Sequence, residues 1–369
     1  MADSVQRQVA RVLDELVDSG AERGIQVAAY HHGEQVVDAV AGVADPATGR
    51  PVTSATPFYN FSIGKGATAT VAHLLVERGA FGYQTPVAEL WPEFAAHDKH
   101  KVTVWHVLTH TAGVPGVPLG TTVEDLCDWD TMCASVADAE LWWEPGTKTG
   151  YHAYTFGFLV GEIVRRATGL PISQVLADQV SGPLGVSEEL YFGVPAAQQY
   201  RLARLESEPG MLEMFANMPP DLPMFRAGPP ALFPTAELGN RADVLGAVIP
   251  AGAKTSARAI ARMYAALLGE VDGVRLLPAR RLAEISAPAW SGTDEVFGNQ
   301  ASWALGYASG VPAAERVRDT VFGMAGGGGS WAGADTARGL AIAVTKNRLT
   351  MDFDAVNRIV GIMFDAVDA

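Results

Sequence analysis

Cysteine is scarce in this chain of 369 residues: Cys127 and Cys133 are the only two, six apart in one segment. That pair gives neither a disulfide framework nor a zinc-ligand spacing, and both residues read as buried thiols. Lysine is scarce too, with six residues, and 27 basic against 41 acidic side chains leave a formal charge of −14. A protein that follows nucleic acid or an anionic membrane by charge needs a basic face, so neither is an expected partner. No run approaches the ~20 apolar residues of a membrane span. The N-terminal segment carries Val5, Val9, Val12, Leu13 and Leu16 at helical spacing, with charges between them, rather than a cationic flank and a greasy core. It reads as a folded helix of a cytoplasmic protein. Charged residues make up 18% and hydrophobic residues 48%, which excludes disorder and leaves material for two domains or one large one.

What is present is an ordered series of elements. Residues 25–42 form two apolar runs around His32-Gly33-Glu34, a β-hairpin. From Phe61 to Gly79 the pattern becomes helical, with small residues crowding its first half, which predicts a helix packed closely by its neighbours. Helical periodicity recurs at about 103–110, 123–137, 155–168 and 173–180. Between Glu206 and Pro250 the chain is rich in proline, methionine and phenylalanine with little period, as expected of a binding loop or lid. A helix is predicted from Ser256 to Leu268. Residues 302–310, 319–335 and 338–348 read as three antiparallel strands, and a helix over 354–364 closes the chain. Strands at both ends joining into one sheet predict an α/β (α+β) fold: an antiparallel sheet flanked by terminal helices, with a large, mostly helical insertion. The expected domains are 1–60 with 254–369 for the sheet, and 61–253 for the helical part, with a lid at about 206–250 and the active site between them.

Two segments carry candidate chemistry. In Ser62-Ile63-Gly64-Lys65 the serine begins a helix and the lysine follows one turn later on the same face. A hydroxyl is a poor nucleophile, and a lysine whose charged form is penalised by burial can take its proton. Of the six lysines only Lys65 has a serine three residues before it. The competing reading is an N-cap serine beside a solvated lysine. The second segment, Glu144 to Ala153, is a turn-rich loop that delivers Tyr151 to a helix start, where a phenol can shuttle a proton between nucleophile and leaving group. A buried, satisfied tyrosine is the plainer alternative.

Phe61 to Lys65, Val107 to Gly113, Trp143 to Thr147 with Tyr151, and Phe322-Gly323 through Gly328-Gly329-Ser330 occur in the order and spacing of the serine β-lactamase-like superfamily. The chain most resembles its branch of class C β-lactamases, DD-peptidases and family VIII carboxylesterases, and is similar to actinobacterial β-lactamase-domain esterases. The resemblance implies that Ser62 is acylated, Lys65 accepts its proton, Tyr151 is the catalytic tyrosine, and the amides of Ser62 and Gly327 form the oxyanion hole. It places Met324, Gly326 and Gly328 along the substrate, with Trp143 and His152 as further candidate binding residues. No cofactor or metal is implied. Two departures stand out. Ala153 replaces the asparagine found two residues after the tyrosine, and Met324-Ala325-Gly326 replaces Lys-Thr-Gly or His-x-Gly. With the cation that holds a substrate carboxylate missing, a charge-assisted bond is lost. The expected activity is therefore hydrolysis of small neutral esters through an acyl-enzyme, with poor β-lactam turnover. Acyl transfer to an amine or alcohol is the close alternative, and a silent binding protein the remote one.

Other patterns carry less. Lys148-Thr149-Gly150 and Lys254-Thr255-Ser256 resemble the missing third motif but stand in the wrong context. Gly328 to Ala332 nearly spells a nucleophile elbow without its strand-turn-helix setting, and the glycine run lacks the rest of a phosphate loop. His106 and His110 have the spacing of a zinc pair on a helix but no intervening glutamate. His152 reads as an exposed loop histidine, and Trp142 and Trp143 either line the acyl pocket or pack beneath the tyrosine loop.

Overall fold

The structure, a computed structural model, describes residues 2–313 and 319–369. Its frame is a nine-stranded antiparallel sheet. Helix α1 (Ala2–Asp18) leads into β1 (Gly24–His31) and β2 (Glu34–Asp45), and the short β3 (Arg50–Pro51) follows. The chain leaves the sheet through α2 (Gly64–Glu77), α3 (Trp129–Ala137) and α4 (Thr155–Thr168), then α5 (Ala257–Leu268) and α6 (Ala279–Ser286). It returns as β4 (Trp290–Thr293), β5 (Gln300–Trp303), β6 (Ala308–Ser309), β7 (Val321–Gly326), β8 (Ser330–Asp335) and β9 (Leu340–Lys346), and ends in α7 (Asp354–Asp368). The strand order is β3-β2-β1-β9-β8-β7-β6-β5-β4, so the first hairpin pairs directly with the last long strand.

Period-two alternation gives the sheet two different faces. Ile25, Val27, Ala29, Trp331, Ile342 and Val344 pack against Val5, Val9 and Leu13 of α1 and Val356, Ile359 and Val360 of α7. The opposite face presents mostly small residues, Ala28, Ala332, Ala334, Ala341 and Ala343, to Ile260, Met263 and Tyr264 of α5 and to the helical region beyond. Alanines there let α5 lie close, while each branched side chain buried on the other face is worth about 1.5–3 kcal/mol. The Ser256 hydroxyl caps α5 by accepting the Ala259 amide.

Several elements differ from expectation. Residues 319–335 form two strands, not one, because Gly328 (φ +103°) and Gly329 (φ +86°) reverse the chain. Strand β4 was not predicted. The 206–250 segment is punctuated by short helical pieces, including Met211–Asn217 and Pro223–Ala227. Among the described residues, no helix is long and apolar enough to cross a membrane.

Candidate active site

Ser62 lies in a short 3-10 turn, Phe61–Ile63, that runs into α2. Phe61 adopts φ +45°, an uncommon conformation for a residue with a Cβ. It is held by the Ala253 amide on its carbonyl, 3.1 Å, and by its ring stacked on Tyr59, 4.4 Å between centroids. Every residue of α2 from Gly64 to Val76 is buried. Gly64 makes the crucial approach: a Cβ there would stand 2.1 Å from the Gly252 carbonyl carbon. That contact brings the Ala251 carbonyl into reach of Lys65.

Lys65 is fully buried. Its Nζ lies 3.1 Å from Ser62 Oγ and donates to the carbonyls of Ala153, 2.6 Å, and Ala251, 3.1 Å. Desolvation lowers its pKa from 10.5 to about 7, since no carboxylate offsets the burial. A neutral amine has two N–H donors and one lone pair. With the donors taken by two carbonyls, the lone pair faces the Ser62 hydroxyl. Ser62 itself is half-buried.

The Tyr151 ring stands beside the same amine, its centroid 4.8 Å from Lys65 Nζ, and the Ser62 side chain acts to lower the pKa of its phenol. Burial pushes the phenol's pKa up, so it stays protonated at neutral pH. Its ring stacks on Trp303 at 5.9 Å and lies 5.8 Å from that of Phe297. The Asp294 carboxylate accepts the amides of Val296 and Phe297, and its backbone bridges to Thr149, which ties this segment to the loop that carries Tyr151. Neither Asp294 nor Trp303 stands out in the sequence, because each acts through a long-range contact.

His152 is fully buried, contrary to the exposed position expected of it. Its Nδ1 lies 2.7 Å from the Gly150 carbonyl, its Nε2 accepts the Val114 amide at 3.3 Å, and its own amide donates to His110 Nδ1 at 3.0 Å. Desolvation lowers its pKa to about 4 and holds that of His110 well below the usual range, so both rings are neutral. The two histidines brace the residues either side of Tyr151. Trp143 lies beneath the same loop, its Nε1 donating to the Thr111 carbonyl and its ring edge-on to His152. Trp142 is half-buried, with the Arg226 guanidinium 4.0 Å from its ring. His106 and His110 do not share a helical face: the helix Val104–Leu108 ends first, and His110 has φ +57°. His106 Nδ1 is used locally, accepting the Thr103 amide. Cys133 is buried as expected, but Cys127 is only half-buried.

The glycine turn comes to Ser62 from the sheet. A Cβ on Gly326 would lie 2.2 Å from the Asn60 carbonyl oxygen, which sets the end of β7 against the turn carrying Ser62. Gly327 and Gly328 are half-buried, and Met324, three residues before Gly327 and on β7, is only 2% exposed. The Pro234 ring covers Gly327, where a Cβ would meet its Cγ at 2.8 Å. Pro234 belongs to the proline-rich segment, which the Tyr154 hydroxyl ties down by donating to the Leu232 carbonyl. Farther out, the Phe233 ring packs against those of Phe215 and Phe225 at 5.2 and 5.5 Å. The lysines of the two look-alike motifs are engaged away from Ser62. Lys148 pairs with Glu295 at 3.3 Å, and Lys254 is buried with its Nζ donating to the Phe192 carbonyl at 2.7 Å.

An antiparallel sheet backed by the two terminal helices, with a Ser-x-x-Lys turn opening a helical insertion, is the architecture of β-lactamases and penicillin-binding proteins. The chain belongs to the Beta-lactamase family, whose profile matches residues 9–362. It is 34% identical over 347 residues to the esterase/beta-lactamase LipL of Mycobacterium tuberculosis, covering 88% of this chain and 77% of that one. Over 205 residues it is 29% identical to esterase EstB of Burkholderia gladioli, about half of each chain. Among solved structures, a family VIII carboxylesterase superposes with a TM-score of 0.89 at 32% identity, covering 98% of this chain and 97% of the other. A penicillin-binding protein homologue from Caulobacter crescentus gives 0.84 at 29% identity, with the same coverage.

Proposed function

We propose that the protein is a serine esterase that forms an acyl-enzyme on Ser62. The observation that carries this reading is a buried lysine amine 3.1 Å from Ser62 Oγ with the ring of a buried tyrosine 4.8 Å from that same amine. Lys65 takes the Ser62 proton as Oγ attacks the ester carbonyl carbon. The resulting oxyanion is held by the amides of Ser62 and Gly327. Collapse of the tetrahedral adduct breaks the bond to the alcohol oxygen, and Tyr151 passes a proton to that leaving group. Water then attacks the acyl-enzyme by the same route in reverse, regenerating Ser62. Small neutral esters are the favoured substrates, because Met324 stands where relatives that bind carboxylates carry a cation. The names of LipL, EstB and the family VIII structure agree with an esterase.

A second reading, transfer of the acyl group to an amine or alcohol, is favoured by the apolar cover that brings Pro234 onto Gly327. Keeping water from the intermediate lengthens its life for another acceptor. Incubating the protein with a p-nitrophenyl ester, with and without a primary amine, and weighing the products separates the two. Free acid in both reactions marks hydrolysis, and amide formation marks transfer. No p-nitrophenol release from any of a series of short and medium acyl esters would refute the esterase reading.

A further inference from the structure

Lys346 and Glu22 form an ion pair at 2.6 Å, 1% and 4% exposed, between the end of β9 and the turn after α1. Lys346 Nζ also donates to Thr350 Oγ1 at 2.9 Å. The Thr350 amide in turn donates to the carbonyl of Gly328 at 3.2 Å, and the Gly329 amide closes the turn onto the Gly326 carbonyl at the same distance. No slack remains beneath this turn. A Cβ on Gly329 would lie 2.6 Å from the Asp352 carbonyl oxygen, 2.8 Å from Thr350 Oγ1 and 3.0 Å from Lys346 Cε.

Stability is a poor account of such a pair. Replacing buried ion pairs by well-packed apolar residues is often neutral or stabilising, and here Glu22 Oε2 is buried with no hydrogen-bond partner among the described residues. What a charged, directional pair supplies and an apolar one does not is a fixed orientation for Thr350, whose amide holds the residue next to Gly327. We propose that the chain Glu22–Lys346–Thr350 is a positioning device that aims the Gly327 amide at the substrate carbonyl oxygen. The claim rests on the reading of Gly327 as an oxyanion donor.

A thiono ester, with sulfur in place of the carbonyl oxygen, draws little help from an oxyanion hole, so the ratio of oxo to thiono rates reports how well the hole is aimed. The test compares a matched oxo and thiono ester on the wild type, the double variant Glu22→Leu/Lys346→Met, and Thr350→Val. In the double variant kcat for the oxo ester should fall about 10- to 100-fold, less than the 10²–10³ for outright loss of a donor. KM and the thiono rate should stay within about threefold, so that the ratio collapses. Thr350→Val, which keeps the backbone amide but removes the hydroxyl's bonds to Lys346 and to the Asp352 carbonyl, should lower the ratio at least about fivefold, the worth of one such bond, and it carries the test if the double variant does not fold. A high wild-type ratio retained in a folded variant would overturn the positioning role while leaving the oxyanion role intact. A wild-type ratio near one would remove the oxyanion role itself, and the positioning claim with it.

Discussion

Replacing Lys65 by arginine keeps a cation one turn after Ser62 but removes the amine lone pair directed at its hydroxyl. The size of the effect follows from burial. With a pKa of about 7 instead of 10.5, roughly half of the amine is neutral at pH 7, where an unperturbed lysine would be neutral in roughly one molecule in 3,000. Burial thus raises the concentration of the base form by about three orders of magnitude. The sign is fixed by chemistry: the base is active when unprotonated, so kcat/KM should rise with pH and level off above about 7. Initial rates of p-nitrophenyl ester hydrolysis between pH 5 and 9, corrected for spontaneous hydrolysis, measure this. Lys65→Arg should lose about 10²–10⁴ of kcat/KM and the inflection with it, since guanidinium does not deprotonate in this range. A wild-type profile flat from pH 5, or an arginine variant within tenfold of wild type, would refute the neutral-amine mechanism.

Tyr151→Phe keeps the ring stacked on Trp303 and removes the proton relay; kcat should fall about 10²–10⁴-fold with the melting temperature little changed, and a near-native rate would take the phenol out of the mechanism. Trp143→Ala should destabilise the fold by about 3–5 kcal/mol in denaturant titration, because its ring supports the loop carrying His152 and Tyr151. Lys254, also buried with a pKa lowered to about 7, makes a pH-dependent prediction. Its folded pKa lies below the unfolded one, so the cost of burying the cation is full below pH 7 and fades as pH rises toward 10.5. The stability advantage of Lys254→Met over wild type should therefore shrink by roughly 3 kcal/mol between pH 7 and 10; an advantage that grows with pH would contradict the burial account. A chromogenic cephalosporin should be turned over at least tenfold less efficiently than a neutral p-nitrophenyl ester, since each 1.4 kcal/mol of lost carboxylate binding is tenfold.

The parts of the site legible in sequence are those written locally. Ser62 and Lys65 are one helical turn apart, and Tyr151 stands at a loop-helix junction whose turn residues mark it. The misread parts depend on distant contacts. His152 looks like a loop residue until His110 and Trp143 close over it. The glycine run carries no strand or turn preference of its own, so the reversal at Gly328 and Gly329 becomes visible only through the pairing of β7 with β8. Strand β4, four residues with a serine and a glycine, has too little alternation to register. Glu22 and Lys346 are 324 positions apart, and no spacing rule connects them.

Intact-mass measurement after treatment with a fluorophosphonate tests the central claim most directly, because it asks whether Ser62 is a nucleophile without presuming a substrate. The account predicts one covalent adduct on the native protein, located at Ser62 by peptide mapping, and none on Ser62→Ala. An unlabelled native protein, or an adduct that survives Ser62→Ala, would contradict it.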